Sequence, residues 1–338
     1  MSENKKKAAA RETMPFKDKA LLFILNNKSI VLLIAIMIIG QIVSGGIFFR
    51  GTNIAVVVRQ ASINAVLAMG FVMVLSSGMI DLSAGSMISL CSVIFAQAVV
   101  VWEIPMIFAI LITMAVGLIC GLANGLMVNK LNLIPFILTM GMGQVFRGLG
   151  YVISNGISLR VDHPVSRFIG QGNVFGVIPM TMVVFLSLAV ISGLLVYRTS
   201  FGRHLLATGG NQEAAKVSGV NTAKTRILAF LFMGFVVSIA AIVLTGRVSI
   251  AMPDGGLGME MDAIAAVIIG GTSLAGGKAN VFGAICGALM LASISNLLNL
   301  AGVSSFWQWV CMGAIIVFAI LLDSLTEKFF QKRQIAGV

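Results

Sequence analysis

Charge is scarce in this 338-residue chain: Asp, Glu, Lys and Arg make up 10% of it, against roughly 25% in a soluble domain. Histidine is almost missing. His163 and His204 are far apart and read as lying in different loops, so no metal-ligand spacing exists. The four cysteines, Cys91, Cys120, Cys286 and Cys311, sit in apolar runs without a CxxC pair. They read as buried thiols rather than a disulfide framework or a zinc site. No nucleophile–base–orienter set, intramembrane carboxylate pair or histidine chain is visible, and without them an intramembrane protease, an ion pump or a proton-coupled carrier lacks its usual parts. A cleavable signal is not recognisable either. Lys5–Lys7 are basic, but the first apolar run, 20–25, is short and no small-x-small site follows.

What is present is hydrophobic residue, 58% of the chain, with a mean hydropathy of +1.03. The reading is an all-α integral membrane protein, a polytopic bundle of about ten transmembrane helices. The expected spans are 29–49, 60–79, 84–102, 105–128, 133–153, 176–197, 226–246, 261–275, 279–300 and 305–323. Before them, residues 1–28 form a basic N-terminus in which 15–27 read as an amphipathic helix lying on the membrane surface. The spans and their loops, 29–323, form one domain, and 324–338 a tail.

The net charge of +11 invites a nucleic-acid reading, but the charges gather at span ends rather than on one soluble face, so no nucleic-acid partner is expected. With both termini inside, only Arg50, Arg59, Arg147, Arg160, Arg167 and Arg247 of the 23 Lys and Arg fall in outer segments. The positive-inside rule therefore places both termini in the cytoplasm. Gly117, Gly121 and Gly125 make a double GxxxG and Gly283 with Gly287 another, the spacing by which helices approach closely in lipid.

One polar, basic island interrupts this chain, the cytoplasmic loop 198–225. Within it Asn211 reads as the N-cap of a short helix, with Glu213 in the first turn against the positive helix end and Gly219 as the stop. Few polar groups interrupt the spans. Asp81 and Ser83, in the run Gly78–Ser86, read either as the N-cap of the third span or as pathway groups. Asn124, Thr139, Gln144 and Arg147 stand out in the fourth and fifth spans, where interhelical hydrogen bonds, interfacial anchoring and pathway lining are all open. The glycine-dense run 264–280 suggests a phosphate loop, but the pattern GxxxxGK[ST] fails at Thr272 and at Ala279. The default there is a tight turn, and the chain holds no nucleotide site of that type.

Together these segments resemble the permease subunit of a monosaccharide ABC importer of the ribose, xylose and galactose type, over roughly 29–323. The motifs are Gly78–Ser86; Asn124-Gly125 with 135–141; Arg147-Gly148-Leu149; Gly210-Asn211 with Ala214-Ala215 and Ser218-Gly219-Val220; and Ile264-Ala265-Ala266 through Gly277. The chain departs from the broader permease loop pattern at Ala229 and lacks a nearby Leu-Pro.

The resemblance implies a second permease subunit, identical or closely related, with the pathway at their interface. It also implies a cytoplasmic ABC ATPase that hydrolyses ATP, and an extracytoplasmic sugar-binding protein. Asn211, Gln212, Glu213, Ala214, Ala215, Ser218 and Gly219 would form the coupling helix that contacts the ATPase. The setting would be the bacterial cytoplasmic membrane. The permease itself would be no enzyme and would bind no cofactor or metal. The outer loops 154–175 and 247–260 carry Arg160, Asp162, Arg167, Asp254 and Glu260, charges suited to docking a binding protein. Alternatives are the same permease type for a nucleoside, a branched-chain amino acid or an autoinducer, and a secondary transporter working without an ATPase.

Overall fold

A computed structural model describes residues 28–131, 133–315, 317 and 321. The expected surface helix 15–27 and the tail 324–338 lie outside the described residues. In chain order the helices are α1 (Lys28–Val43), α2 (Gly51–Ser76), α3 (Ala84–Ala96, widening into a π-turn over Gln97–Val101), α4 (Met106–Lys130) and α5 (Pro135–Ser154). Then come α6 (Pro164–Gln171), α7 (Met180–Arg198), α8 (Ser200–Gly210), α9 (Gln212–Val217), α10 (Thr222–Val248), α11 (Met259–Ile269) and α12 (Val281–Leu300). Residues 305–315 are helical as well. The strands are two-residue pieces: β1 (Leu159–Arg160), β2 (Asn173–Val174), β3 (Ile178–Pro179) and β4 (Ile250–Ala251). β1 pairs with β4 antiparallel, Leu159 opposite Ala251, and β2 with β3.

Seven of these helices are long and apolar enough to cross a membrane: α2, α3 with its π-turn, α4, α5, α7, α10 and α12. α1 is described over 16 residues, beginning at Lys28, the first residue the structure describes. Its expected run to residue 49 breaks at Ser44–Gly46, where Gly45 and Gly46 take positive φ. The expected span 261–275 is also shorter than read. α11 has 11 residues and ends at Ile269, because Gly271 has φ +91° and the Asn280 side chain takes the Gly270 carbonyl, Nδ2 to O 2.8 Å.

α2 is buried almost all round from Ala61 to Ser76, as is α3 along its whole length. Such all-round apolar helices belong at the centre of a bundle. α10, α12, α7 and α11 pack on α2, and α4 packs along α10. The double GxxxG sets that last contact. A side chain at Gly117 would strike the Gly234 carbonyl, one at Gly121 the Phe230 carbonyl, and one at Gly125 would press on Ile227. Gly283 and Gly287 bring α12 onto Gly270 and Ala266 in the same way. Close backbone approach, not a glycine-lined path, is what these glycines provide. The outward faces of α4, α5 and α7 expose Ile107, Leu111, Ile119, Ile137, Val152, Val190 and Leu194.

At the end formed by 155–179 and 247–258, the segment read as a loop holds α6. Its small side, Ser166 and Gly170, sits on the backbone of Gly246 and Arg247. Arg59, read as a loop residue, stands within α2 instead and donates from Nη2 to the Gln171 carbonyl (3.0 Å) and Asn173 Oδ1 (2.7 Å).

Candidate functional site

The polar island contains two helices rather than one. α8 was not apparent in the sequence, and it holds His204, read there as a loop residue. Each helix start is capped by a side chain, as the orphan N–H groups of a helix terminus require. Thr199 Oγ1 accepts from Gly202 N (3.3 Å), Asn211 Oδ1 from Ala214 N (3.0 Å) and Asn221 Oδ1 from Lys224 N (2.9 Å). α9 stops where Gly219 turns to φ +83°, with Gly219 N donating to the Lys216 carbonyl (2.9 Å) and Val220 N to that of Ala215 (3.0 Å). The Asn211 cap and the Gly219 stop therefore form as read.

Along α9, Ala215 points inward, and Glu213, Ala214, Lys216, Ser218 and Gly219 are exposed, with Gln212 half-buried. Glu213 pairs with Lys216 at 2.9 Å, both largely exposed. A pair so placed contributes under about 1 kcal/mol, so stability does not explain it. Val217, which drew no notice in the sequence, is 90% exposed. α9 is thus a six-residue helix fixed at both ends, with the exposed apolar Val217 beside the Glu213–Lys216 pair.

A second constellation is internal. Asp81, Ser83, Asn124 and Thr139 are fully buried. Asp81 Oδ1 accepts from Ser83 N (2.9 Å) and Ser83 Oγ (2.6 Å), and Asn124 Nδ2 donates to Ser83 Oγ (2.7 Å). Leu82 N donates to Thr139 Oγ1 (3.0 Å). Asp81 thus holds the turn entering α3, whereas Ser83 occupies the N-cap position without a capping bond of its own. Arg147 is half-buried, its Nη2 donating to Ser86 Oγ at 3.3 Å. Gln144 is not drawn into the cluster and stands on the exposed face of α5 with Gly141 and Gly148.

The sequence reading missed a carboxylate on α11 that packs against Gly85, at the start of α3. Glu260, placed there in an exposed outer loop, lies half-buried in the first turn of α11 with its carboxylate against Gly85, where not even a Cβ would fit. The same contact is closed by Gly256 N donating to Ser89 Oγ at 3.0 Å. Asp81 Oδ2, Asn124 Oδ1 and Glu260 Oε2 are buried oxygens without a hydrogen-bond partner. Unsatisfied acceptors inside a membrane protein are costly, and their chemistry suits hydroxyl donors. Cys91, Cys120 and Cys286 are buried as expected, but Cys311 is only half-buried.

Residues 53–320 match the family described as branched-chain amino acid transport system / permease component. The xylose transport system permease protein XylH of Haemophilus influenzae is 33% identical over 90% of this chain and 98% of its own length. The ribose import permease protein RbsC of Bacillus subtilis is 37% identical over 82% of this chain and 86% of its own. RbsC of Escherichia coli K12 is 34% identical over 89% and 94%. No solved structure matches the chain. With seven membrane-length helices among its described residues, the chain belongs to the branched-chain amino acid transport system / permease component family of multi-pass membrane permeases.

Proposed function

We propose that this chain is the membrane-spanning permease subunit of an ATP-driven sugar importer in the bacterial cytoplasmic membrane. The observation that carries this is the exposed α9, capped by Asn211 and stopped at Gly219, in a protein with no nucleotide-binding motif. The names of the relatives, ribose and xylose permeases, support a monosaccharide as cargo, and the buried unpartnered oxygens suit a neutral, hydroxylated solute. Uphill uptake needs an energy source. Here that energy arrives mechanically through α9, and a partner ATPase hydrolyses the ATP.

In this reading α1, α11 and the expected span 305–323 complete ten spans, tilted or partial, with both termini in the cytoplasm. Residues 1–28 are the cytoplasmic N-terminus, 29–323 the permease domain with coupling loop 198–225, and 324–338 a cytoplasmic tail. Asn211, Gln212, Glu213, Ala214, Ala215, Ser218 and Gly219 form the ATPase contact, joined by Val217. Asp81, Ser83, Asn124, Thr139, Gln144 and Arg147 serve the pathway, which lies against a second permease subunit. Arg160, Asp162 and Arg167 at the outer end, where Asp162 pairs with both arginines, meet the extracytoplasmic binding protein. The permease is no enzyme and binds no cofactor.

The test is purification from the native membrane in mild detergent, with mass spectrometry of what accompanies wild type and Glu213→Lys. A stoichiometric ATPase lost in the variant supports both the importer and the docking helix. An ATPase kept by both removes Glu213 from the contact. No ATPase with folded wild type, and none captured by cross-linking, removes the importer.

A further inference from the structure

The glycine-dense run 264–280 has no phosphate to hold, yet the fold converges on it. After α11 ends, residues 270–280 form a loop pinned from four other segments. Ser29 Oγ donates to the Ile269 carbonyl at 3.0 Å. The Tyr197 hydroxyl, at the last turn of α7, accepts from Val281 N (3.0 Å) and donates to the Ala279 carbonyl (3.4 Å). Gly277 N donates to the Ser76 carbonyl at the end of α2 (3.0 Å), and Ser76 Oγ to the Lys278 carbonyl (3.3 Å).

The fourth attachment is main chain against main chain. A Cβ on Gly209, at the end of α8, would strike the Ser76 carbonyl and Gly277 N. A Cβ on Gly276 would strike Gly209 and Gly78, and one on Gly277 would strike Gly210. Gly78, Gly276 and Gly277 also have positive φ, so glycine is needed there for conformation as well as for space. Five glycines from three segments thus meet without an intervening side chain.

The position of this junction gives it meaning. α9 begins two residues after Gly210, and Asp81 lies three residues after Gly78. Side chains would absorb a displacement by changing rotamer; backbone in direct contact cannot. We propose that the junction of Gly78, Gly209–Gly210 and Gly276–Gly277, braced by Tyr197, transmits movement of α9 to the Asp81 turn and to the α11–α12 loop. Gly209, Gly276 and Tyr197 are positioning residues in this account. The inference rests on the reading of α9 as the ATPase contact, and it adds the path by which that contact reaches the pathway.

The experiment separates the two ends of that path. In the complex purified from native membrane, with Cys311 replaced by serine, a small environment-sensitive fluorophore is attached at Arg203→Cys, exposed on α8, or at Gly148→Cys, on the open face of α5 beside Arg147. A non-hydrolysable ATP analogue is the probe. The parent protein is expected to give a signal at both sites. Gly209→Ala and Tyr197→Phe are each expected to keep the signal at 203 and to weaken the one at 148 by about fivefold or more, the lower range of an allosteric coupling. A purely structural role would lower both signals together and would overturn the proposal, as would an undiminished signal at 148. If Gly209→Ala does not assemble, Tyr197→Phe, which removes one oxygen, decides alone. A parent without signal at 203 contradicts the ATPase-contact reading itself and the inference with it. A parent with signal at 203 but none at 148 contradicts the transmission alone.

Discussion

Ser83 shows what a single hydroxyl does in a dry interior. It donates to Asp81 Oδ1 and accepts from Asn124 Nδ2, so its removal strands an amide and weakens the hold on a fully buried carboxylate. Ser83→Ala is expected to destabilise the protein by about 1–3 kcal/mol, the cost of leaving buried polar groups unpaired. Thermal unfolding of the detergent-solubilised protein checks this, and a threonine at the same position should recover part of the loss. Asp81 was legible as important because acidic residues are so rare in the spans. The inward position of Glu260 on α11 was not. Glu260 followed a stretch with Asp254 and three glycines, which reads as a solvated loop. Only the tertiary contact with Gly85 shows that it points inward.

Among the helices, α9 and the α4–α10 pair make contrasting predictions. Asn211→Ala removes the oxygen that caps α9 and should cost about 1 kcal/mol. Hydrogen exchange should then rise over 212–217 while α2 and α10 stay protected. Gly121→Val places a branched side chain against the Phe230 carbonyl. Overpacking of this kind typically costs about 1–3 kcal/mol, and here the contact is with backbone, so the folded yield and the unfolding temperature should both fall. Gly141→Ala, on an open face of α5, is the matched control and should change neither.

The helix patterns with strong apolar runs were readable: α3 through α5, α7, α10 and α12 fall close to their expected places, and α2 starts nine residues earlier than read, at Gly51 rather than 60. The failures share a cause. α8 is amphipathic and lies in a basic loop, so hydropathy does not mark it. α6 hides its small residues rather than its large ones, which inverts the usual pattern. α11 is apolar enough to mimic a span, but the turn at Gly270–Gly271 depends on Asn280, far along the chain from the helix start, whose Nδ2 donates to the Gly270 carbonyl and whose N donates to Thr272 Oγ1.

The two ends of the molecule differ in kind: one presents α9 with Val217 and the Glu213–Lys216 pair, the other presents α6, two short strand pairs and the Arg160–Asp162–Arg167 cluster. Both termini and α9 are expected on the cytoplasmic side. A membrane-impermeant thiol reagent should therefore label Val217→Cys only in inside-out vesicles, and Phe175→Cys, at the tip of the β2–β3 turn, only in right-side-out ones. Labelling of both from the same side would refute the orientation.

Photo-cross-linking in the native membrane, from a benzophenone side chain at position 217 with Phe175 as the comparison site, tests whether α9 meets an ATPase. Position 217 should capture an ABC ATPase, Glu213→Lys should abolish the product, and position 175 should never yield it. Cross-linking from 217 to lipid or to the permease alone, with no ATPase among the products, would contradict that contact.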